Sequence, residues 1–252
     1  MATLYLASNF QNEISNIDQI FEIFGPVVEK WVVCDSGSDD GTQDRLREIV
    51  GDKLILIETD AIKINGYGYA RTKLIEYCEG ADWVLIIDGD ERMLPEDVEK
   101  LKVLVEENRN YDIHWLPRCH YQDWEMTKVE YGSMDNIGND WREAVLINPD
   151  WQPRLIRRTM MNGRSKVQYK RRVHELIEGV NSETRDVDKN PVLRHFGWLK
   201  TPEKKKNVEE LCNKLWKMDC ENVELASTYT EEIKFGSASY SNPWNIVRNE
   251  DV

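Results

Sequence analysis

The feature that most constrains this chain is an apolar run that ends in a cluster of acidic residues. Residues 83–87 read Trp-Val-Leu-Ile-Ile, and Asp88-Gly89-Asp90-Glu91 follows directly. An unbroken run of β-branched and aromatic residues predicts a parallel strand that is buried on both faces. Because open α/β sheets bind ligands at the carboxyl ends of their strands, we expect these carboxylates to face a ligand crevice. Carboxylates two residues apart suit a hard divalent cation that also binds phosphate oxygens, whereas an ordinary Asp-Gly turn is the structural alternative.

Size, charge and cysteine content exclude several classes of protein. The chain has 252 residues, 40% of them hydrophobic, which is enough for one large domain with a real core. Its 33 basic and 46 acidic residues give a net charge of −13, which argues against binding to nucleic acid or to anionic membranes. Five cysteines without a CxxC pair favour reduced thiols over a disulfide framework. With no apolar segment of membrane-spanning length and no signal-like start, we expect a cytoplasmic protein without a transmembrane segment.

The first hundred residues alternate between strand-like and helix-like patterns. Short apolar runs predict strands, and between them apolar residues recur at helical spacing. This alternation predicts an α/β fold with a Rossmann-like, mostly parallel sheet that helices flank on both faces. The predicted strands are residues 4–7, 31–34, 54–57 and 83–87, and the predicted helices lie around residues 14–24, 46–50, 70–78 and 95–105.

The second half of the sequence has a different character. Its strand-like runs have irregular connections, which predicts a smaller mixed β region followed by a C-terminal helix. Thr201 and Pro202 form a strong helix start, and we expect the lysines at 204–206 on the solvated face of that helix. The polar stretch 118–148 is expected to be a functional loop. Strand-like runs occupy residues 113–116, 144–147, 154–156 and 192–196.

A second acidic turn follows the second predicted strand. Residues 31–34 run into Asp35, which ends its strand as Asp88 ends another. Both carboxylates should therefore lie at the same edge of the sheet. There Asp35 can accept hydrogen bonds from a base N–H or a ribose hydroxyl. An ordinary turn explains the neighbouring glycines but not the paired acidic strand ends.

Four motifs in the first half together resemble the nucleotide-binding half of family-two glycosyltransferases with the GT-A fold. They are Asn9 to Glu13, VVCDSGSDDGT at residues 32–42, Tyr69-Ala70-Arg71, and WVLIIDGDE at residues 83–91. The later motifs PRLIR at 153–157, VHE at 173–175 and HFGW at 195–198 resemble signatures of bacterial and phage-type members. The resemblance covers residues 3–105 and continues more thinly to residue 220.

The resemblance implies how the chain is divided and what it binds. Residues 1–220 would form one GT-A-like domain, with a nucleotide-sugar-binding half at 1–105 and an acceptor and catalytic half at 106–200. Residues 221–252 would be a C-terminal tail. The implied partners are a nucleotide-sugar donor and a carbohydrate, lipid-linked or protein acceptor, and an oligomer is compatible with this assignment.

The resemblance also implies roles for positions at the donor site. Asp35 would recognise the base, Asp88 would contact the ribose and the metal, and Asp90 would coordinate Mn²⁺ or Mg²⁺ between the donor phosphates. Arg71 would lie near the diphosphate, where a guanidinium can bind phosphate oxygens in pairs. The other implied donor contacts are Ser8, Asn9, Glu13, Gly89 and Arg154.

His195 is a candidate metal ligand beside Asp88 and Asp90, because a histidine at a strand end can supply a nitrogen to Mn²⁺. A core histidine that is hydrogen-bonded to the backbone is the equal alternative. His114, Cys119 and His120 are also residues of zinc-ligand type. They lack a fourth partner and a known spacing, so no zinc site is predicted.

The pair His174 and Glu175 contains the candidate catalytic base. Inverting sugar transfer needs a carboxylate or imidazole within reach of the acceptor hydroxyl. Neighbouring residues in a strand point to opposite faces, so only one of the two can face the site directly. The family resemblance favours Glu175, with His174 packing or binding substrate, and a solvated strand pair is the alternative.

These expectations combine into an inverting, metal-dependent glycosyltransferase of hexosyltransferase type, with a UDP-linked sugar as the first candidate donor. Two alternatives stay open. A sugar nucleotidyltransferase shares the sheet and the acidic site, but it usually carries a Gly-rich basic loop after the first strand. Residues 7–13 of this chain contain neither Gly nor Lys. A catalytically silent sugar-binding module is the other alternative, and the intact acidic motifs count against it.

Overall fold

The computed structural model describes residues 2–107, 110–121, 150–173, 175–186, 189–197 and 200–222. The predicted strand at 144–147 lies outside these residues, as do most of the stretch 118–148 and most of the predicted tail. None of the described helices has the length and apolarity that crossing a membrane requires.

The described residues form thirteen strands and five α-helices. The strands are β1 (Leu4–Phe10), β2 (Lys30–Asp35), β3 (Leu54–Glu58), β4 (Trp83–Ile86), β5 (Glu91–Arg92), β6 (Ile113–His120), β7 (Asp150–Arg157), β8 (Met160–Met161), β9 (Arg164–Ser165), β10 (Gln168–Lys170), β11 (Leu176–Glu178), β12 (Glu183–Thr184) and β13 (Leu193–His195). The helices are α1 (Ile17–Phe24), α2 (Thr42–Val50), α3 (Ala61–Tyr77), α4 (Pro95–Glu107) and α5 (Pro202–Cys220).

One mixed sheet is the centre of the described part of the chain. Its strands follow the order β3-β2-β1-β4-β7-β6-β13-β5, and β12 pairs beside β6. The pairs among β3, β2, β1 and β4 are all parallel, as predicted. Strand β7 pairs antiparallel with both β4 and β6, whereas β13 pairs parallel with β6 and antiparallel with β5. The prediction of an α/β fold with a mostly parallel sheet is confirmed.

The sheet separates two apolar layers because alternate residues of its strands point to opposite faces. Leu6 and Trp31 pack on one face against α1, α2 and α4. Ala7 and Val32 pack on the other face against α3 and the β10–β11 hairpin. Burial of apolar surface stabilises the fold by about 25 cal/mol per Å². Both apolar layers therefore hold the parallel strands in place, and this fixes the position of the strands' carboxyl ends.

Helix α3 is kinked near its start, where a loop of the second half crosses it. Gly66 has a φ of +85°, and a Cβ there would lie 2.3 Å from Cα of Arg172. A Cβ at Gly68 would lie 2.3 Å from the carbonyl oxygen of Arg171. Only glycine permits such a close approach of two backbones. The loop therefore lies directly on the helix that carries Arg71.

Cys34 and Cys78 are buried, as the sequence predicts, and both are free thiols. Burial raises the pKa of Cys34 to about 12 and raises the pKa of Cys78 as well. A thiol is nucleophilic only as the thiolate. These two cysteines therefore belong to the core rather than to a catalytic site.

Candidate active site

The acidic turn after β4 lies between two arginines. Asp88 Oδ2 accepts hydrogen bonds from Nη2 of Arg71 at 2.8 Å and from Nη2 of Arg154 at 2.6 Å. The same Arg154 nitrogen donates to Oε1 of Glu91 at 2.7 Å. Arg154 is 1% exposed and Glu91 is 0% exposed. The structure thus brings together three predicted donor-site residues, Arg71, Asp88 and Arg154, and adds Glu91.

The carboxyl groups of Asp88 and Glu91 lie close to other negative charges, and both have raised pKa values. Burial raises the pKa of Asp88, and the negative charges of Asp90 and Glu175 act in the same direction while Arg71 opposes them. Burial, followed by repulsion from Asp88, raises the pKa of Glu91 to about 8. Carboxyl groups that hold protons this readily favour any additional cation nearby.

Asp90 faces a different set of partners. Nζ of Lys200 lies 2.6 Å from Oδ2 of Asp90, and Nε2 of His195 lies 3.3 Å from the same oxygen. Burial by itself would raise the pKa of Asp90, but Lys200 and His195 hold it well below its usual range. Asp90 is therefore an ionised carboxylate.

Two neighbouring residues, Phe196 and Gly197, position the ring of His195. A Cβ at residue 197 would lie 2.4 Å from Cε1 of His195, so Gly197 leaves the space that the ring occupies. The N–H of Phe196 donates to the carbonyl of Asp90 at 2.8 Å, which joins the two segments. Burial lowers the pKa of His195 to about 4. The imidazole is therefore neutral at pH 7, the form that can bind a metal.

Two of the three predicted metal ligands, Asp90 and His195, lie side by side, and their role as ligands stays a prediction. Asp90 Oδ2 and His195 Nε2 are 3.3 Å apart, close to the roughly 3.0 Å between neighbouring ligands of an octahedral ion with bonds of about 2.1 Å. Asp88 instead turns toward Arg71 and Arg154, which compensate its charge. Within the described ranges no group of three His, Cys, Asp or Glu side chains could hold a metal. Mn²⁺ and Mg²⁺ complete such partial sites with water and substrate phosphates.

Glu13 and Lys204 form another ion pair in the same crevice. Nζ of Lys204 lies 2.7 Å from Oε1 of Glu13. The Glu13 carboxyl group packs over Gly89, where a Cβ would lie 2.5 Å from Cδ of Glu13. Burial raises the pKa of Glu13, and Lys204 opposes this shift. The prediction of a solvated lysine run is wrong for Lys204, because the first turn of α5, capped by Thr201, reaches over the site.

Glu175 joins the acidic turn through Arg71. Nε of Arg71 lies 3.0 Å from Oε1 of Glu175, while Nη2 of the same guanidinium donates to both oxygens of Asp88. The structure thus places Glu175, the predicted catalytic base, beside the donor-site residues Arg71 and Asp88, and its role as the base stays a prediction. The prediction for His174 falls on a residue outside the described ranges.

Asp35 stabilises the loop that follows β2, a structural role that the sequence did not reveal. Its Oδ1 accepts hydrogen bonds from the backbone N–H groups of Gly37 and Ser38 at 3.1 and 2.9 Å, and from Nε2 of Gln43 at 2.9 Å. Asp35 is completely buried. The carboxylate therefore shapes the loop after β2, and its predicted role in base recognition stays a prediction.

Ser8 and Asn9, both predicted donor contacts, point in opposite directions along β1. Ser8 is completely buried, and its hydroxyl accepts from the indole N–H of Trp31 at 3.1 Å. The structure therefore does not bring the Ser8 side chain to the site. Because side chains alternate along a strand, Ser8 points into the apolar layer between the sheet and helices α1, α2 and α4. The carboxamide atoms of Asn9 are buried without a hydrogen-bond partner among the described residues. A ligand that pairs with them would remove the cost of an unsatisfied amide.

Several residues of the site carried no recognisable signal in the sequence. Lys200 and Arg118 reach the carboxylates from the second half of the chain. His120 lies against His195, with the two Nδ1 atoms 2.9 Å apart, because β6 and β13 pair these residues directly. Sequence reasoning considered His120 only as a zinc-type ligand. Pairing between residues so distant along the chain has no local pattern that could reveal it.

This buried cluster of carboxylates and arginines lies at the carboxyl end of β4, the edge of the sheet at which open α/β folds bind their ligands. The chain belongs to glycosyl transferase family 2, because residues 16–163, more than half of its length, match the sequence profile of that family. This confirms the resemblance seen in the sequence and the class of transferase enzymes. No curated protein matches the chain significantly.

Solved structures resemble parts of the chain at low identity. S. aureus TarS, residues 1–349, is 18% identical with a TM-score of 0.40, over 51% of this chain and 38% of that one. Glucosyl-3-phosphoglycerate synthase from Mycobacterium tuberculosis, crystallised with Mn²⁺, UDP and phosphoglyceric acid, is 17% identical with a TM-score of 0.41, over 62% and 55%. The inositol-1-phosphate CTP transferase from T. maritima is 12% identical with a TM-score of 0.34, over 49% and 56%. The chain thus spans less than two thirds of each of these structures.

Proposed function

We propose that this chain is an inverting, metal-dependent glycosyltransferase that uses a nucleoside diphosphate sugar, most simply a UDP-sugar, and an acceptor hydroxyl. The observation that carries the proposal is the bridge made by one guanidinium. Arg71 contacts both Asp88 in the acidic turn and Glu175 in the loop before β11. A carboxylate suited to proton transfer and groups suited to a diphosphate therefore share one crevice.

The donor would lie along the carboxyl ends of β1, β2 and β4. Positive charge for its diphosphate comes from Arg71, Lys200 and Lys204, whose side chains pair with carboxylates of this crevice. The buried Asn9 carboxamide, which has no hydrogen-bond partner among the described residues, offers both a donor and an acceptor to the nucleoside. Asp35 would act at the base end. Residues 1–105 would thus hold the nucleotide sugar and residues 106–200 the acceptor, within one domain over residues 1–220.

Asp90 and His195 would hold Mn²⁺ or Mg²⁺. Their oxygen and nitrogen donors suit either ion, and Lys200 already places a positive charge 2.6 Å from the Asp90 oxygen. When bound, the ion would supply Lewis-acid charge to the departing diphosphate.

Glu175 would take the proton from the acceptor hydroxyl. Its side chain is partly exposed, unlike that of Glu91, so an acceptor can reach it. The guanidinium of Arg71 holds the Glu175 carboxylate in the crevice by an ion pair, with its Nε 3.0 Å from Oε1 of Glu175. The tight loop at Gly66 and Gly68 keeps this part of the second half against the helix that carries Arg71.

The proposal is tested by a panel of nucleoside diphosphate sugars with and without Mn²⁺, with nucleotide release and the anomeric configuration of the product as readouts. We expect release from one class of donor, dependent on the metal, and a product of inverted configuration. Formation of a nucleotide sugar from a nucleoside triphosphate and a sugar phosphate would show a nucleotidyltransferase instead. Absence of both reactions and of nucleotide binding would contradict the proposal.

A further inference from the structure

Glu175 lies at the end of a short turn between β10 and β11. Lys170 pairs with Leu176, the residue directly after Glu175, and this pair closes the hairpin. Arg171 has a φ of +64°, in the left-handed region that a non-glycine residue rarely adopts. Such a conformation persists only where the surrounding structure holds it. The shape of the β10–β11 turn, whose described residues are 171–173 and 175, therefore depends on contacts from outside the hairpin.

Helix α3 makes one set of these contacts. The backbone N–H of Tyr67 donates to the carbonyl of Arg172 at 2.8 Å. Gly66 permits this approach, because a Cβ there would lie 2.3 Å from Cα of Arg172. The same helix carries Arg71, whose Nε lies 3.0 Å from Oε1 of Glu175. Helix α3 therefore contacts both the backbone of the turn and the carboxylate that the turn carries.

Helix α5 holds the same residue of the turn through a carboxylate. Oδ2 of Asp219 accepts the backbone N–H of Arg172 at 2.7 Å, and Oδ1 accepts from Nη1 of Arg172 at 2.7 Å. Asp219 is completely buried. We call these two hydrogen bonds the Asp219 anchor. Both backbone polar groups of Arg172 are thus held, the N–H by α5 and the carbonyl by α3.

Helix α5 contacts both parts of the proposed site. Near its start, Nζ of Lys204 lies 2.7 Å from Oε1 of Glu13 in the donor crevice. Near its end, Asp219 holds the β10–β11 turn. The continuous hydrogen-bonded backbone of a helix keeps its two ends at a fixed distance. The helix therefore fixes the turn relative to the donor crevice.

We infer that Asp219 is a positioning residue, which holds the β10–β11 turn so that Glu175 meets Arg71 in the crevice. The inference rests on the proposed function for the role of Glu175 as the base. The anchor itself is a property of the chain that does not depend on that role. An ion pair that only stabilises the fold is the alternative, and it would leave the turnover of the folded protein unchanged.

The first readout is hydrogen exchange of backbone amides in the wild type, measured by NMR. A hydrogen-bonded amide exchanges only when the structure around it opens. We expect the N–H of Arg172, although it lies in a turn, to exchange far more slowly than the N–H of Gly163 in an exposed turn. Equally fast exchange at both residues would overturn the anchor, and this result needs no variant to fold.

The second readout is turnover in a matched pair of double variants. Both replace Arg172 by methionine, so neither leaves a buried guanidinium without its partner. Asp219→Asn/Arg172→Met keeps a side-chain oxygen for the backbone N–H of residue 172, whereas Asp219→Ala/Arg172→Met removes it. We expect the alanine variant to lower kcat by about tenfold to a hundredfold, the scale of a misplaced catalytic group, with unchanged UDP affinity. The asparagine variant should keep most of the turnover.

The same double variants are then placed in a Glu175→Gln background, where no base remains to be positioned. A residue that acts through Glu175 should have no further effect on turnover there, because the two losses are not additive. Glu210→Gln, at an exposed position of α5, is the control and should leave kcat unchanged in both backgrounds.

The outcomes separate the positioning role from the proposed function. An Asp219→Ala/Arg172→Met protein that is folded, as its melting temperature shows, and has wild-type kcat overturns the positioning role. So does an equal loss of turnover with and without Glu175→Gln. Near-normal turnover of Glu175→Gln alone overturns the proposed base and, with it, the positioning role of Asp219 toward that base.

Discussion

At the scale of single residues, the site depends on side chains that serve two neighbours at once. Arg71 contacts Asp88 and Glu175, and Arg154 shares one nitrogen between Asp88 and Glu91. A planar guanidinium can do this because its donors point in several fixed directions, whereas an ammonium is a single point charge. The positions of the carboxylates are therefore coupled through the arginines.

Arg71→Lys tests this coupling. Lysine keeps the charge but cannot hold Asp88 and Glu175 in one fixed arrangement. We expect the fold to persist and turnover to fall by about tenfold to a hundredfold, as for a misplaced catalytic group. Steady-state kinetics of nucleotide release measure the effect, with Arg157→Lys on the exposed end of β7 as the control. Wild-type kinetics in Arg71→Lys would contradict the bridging role.

Asp35 shows a limit of sequence reasoning at this scale. A strand-end carboxylate facing a crevice is expected to contribute little to folding, yet Asp35 accepts hydrogen bonds from two backbone N–H groups and from Gln43. Asp35→Ala should therefore lower the free energy of unfolding by about 1–3 kcal/mol, the cost of leaving such donors unsatisfied. Urea denaturation measures it, and Asp52→Ala in the exposed 3₁₀ helix Gly51–Lys53 is the control. Equal stability of Asp35→Ala and wild type would refute this role.

At the scale of elements, local patterns predict the strands that form the parallel half of the sheet. The runs at β1 to β4 are apolar enough to identify from sequence alone, and the carboxylates that follow β2 and β4 could be identified with them. Strands β5 and β12 span two residues each, which is too short for the alternation of apolar and polar residues that identifies a strand in a sequence. The cations Arg118, Lys200 and Lys204 reach the carboxylates from distant parts of the chain, and no local pattern shows which carboxylate each of them meets. Accordingly, the acidic strand ends could be predicted from sequence, and Arg71 and Arg154 from the family resemblance, whereas these three cations could not.

The connection between α4 and β13 depends on a buried ion pair. Nη1 of Arg194 lies 2.5 Å from Oδ2 of Asp97, and both residues are at most 2% exposed. Asp97→Ala should destabilise the chain by about 3–5 kcal/mol, the cost of removing one partner from a buried ion pair. Replacing both residues, as in Asp97→Ala with Arg194→Met, should recover part of this loss. Thermal and urea denaturation test it, and a single variant as stable as wild type would contradict the account.

At the scale of the whole molecule, one sheet joins both halves of the chain at the site. Strand β4 supplies the acidic turn and pairs with β7, which carries Arg154, while β13 places His195 beside Asp90. The metal and the donor would therefore bind to groups from both halves. Ligand binding should stabilise the whole sheet rather than one part of it.

UDP and Mn²⁺ should for this reason raise the melting temperature together by more than the sum of their separate effects. Ligands that bind only the folded state stabilise it by mass action. Asp90→Asn should abolish this synergy, because it removes the ionised oxygen donor beside His195. Asp52→Asn, which is exposed, should preserve it. A synergy that persists in Asp90→Asn would remove Asp90 from the metal site.

The turnover of Glu175→Gln is the most direct test of the central claim, that Glu175 acts as the base in a donor site organised by Arg71. The substitution keeps the shape of the side chain and removes the proton acceptor. We predict that the rate of sugar transfer falls by about a hundredfold or more, the scale of a lost general base, while calorimetry shows nearly unchanged UDP binding. Glu178→Gln, three residues further on in β11 and exposed, should behave as wild type. A Glu175→Gln enzyme with near-normal turnover would contradict the account.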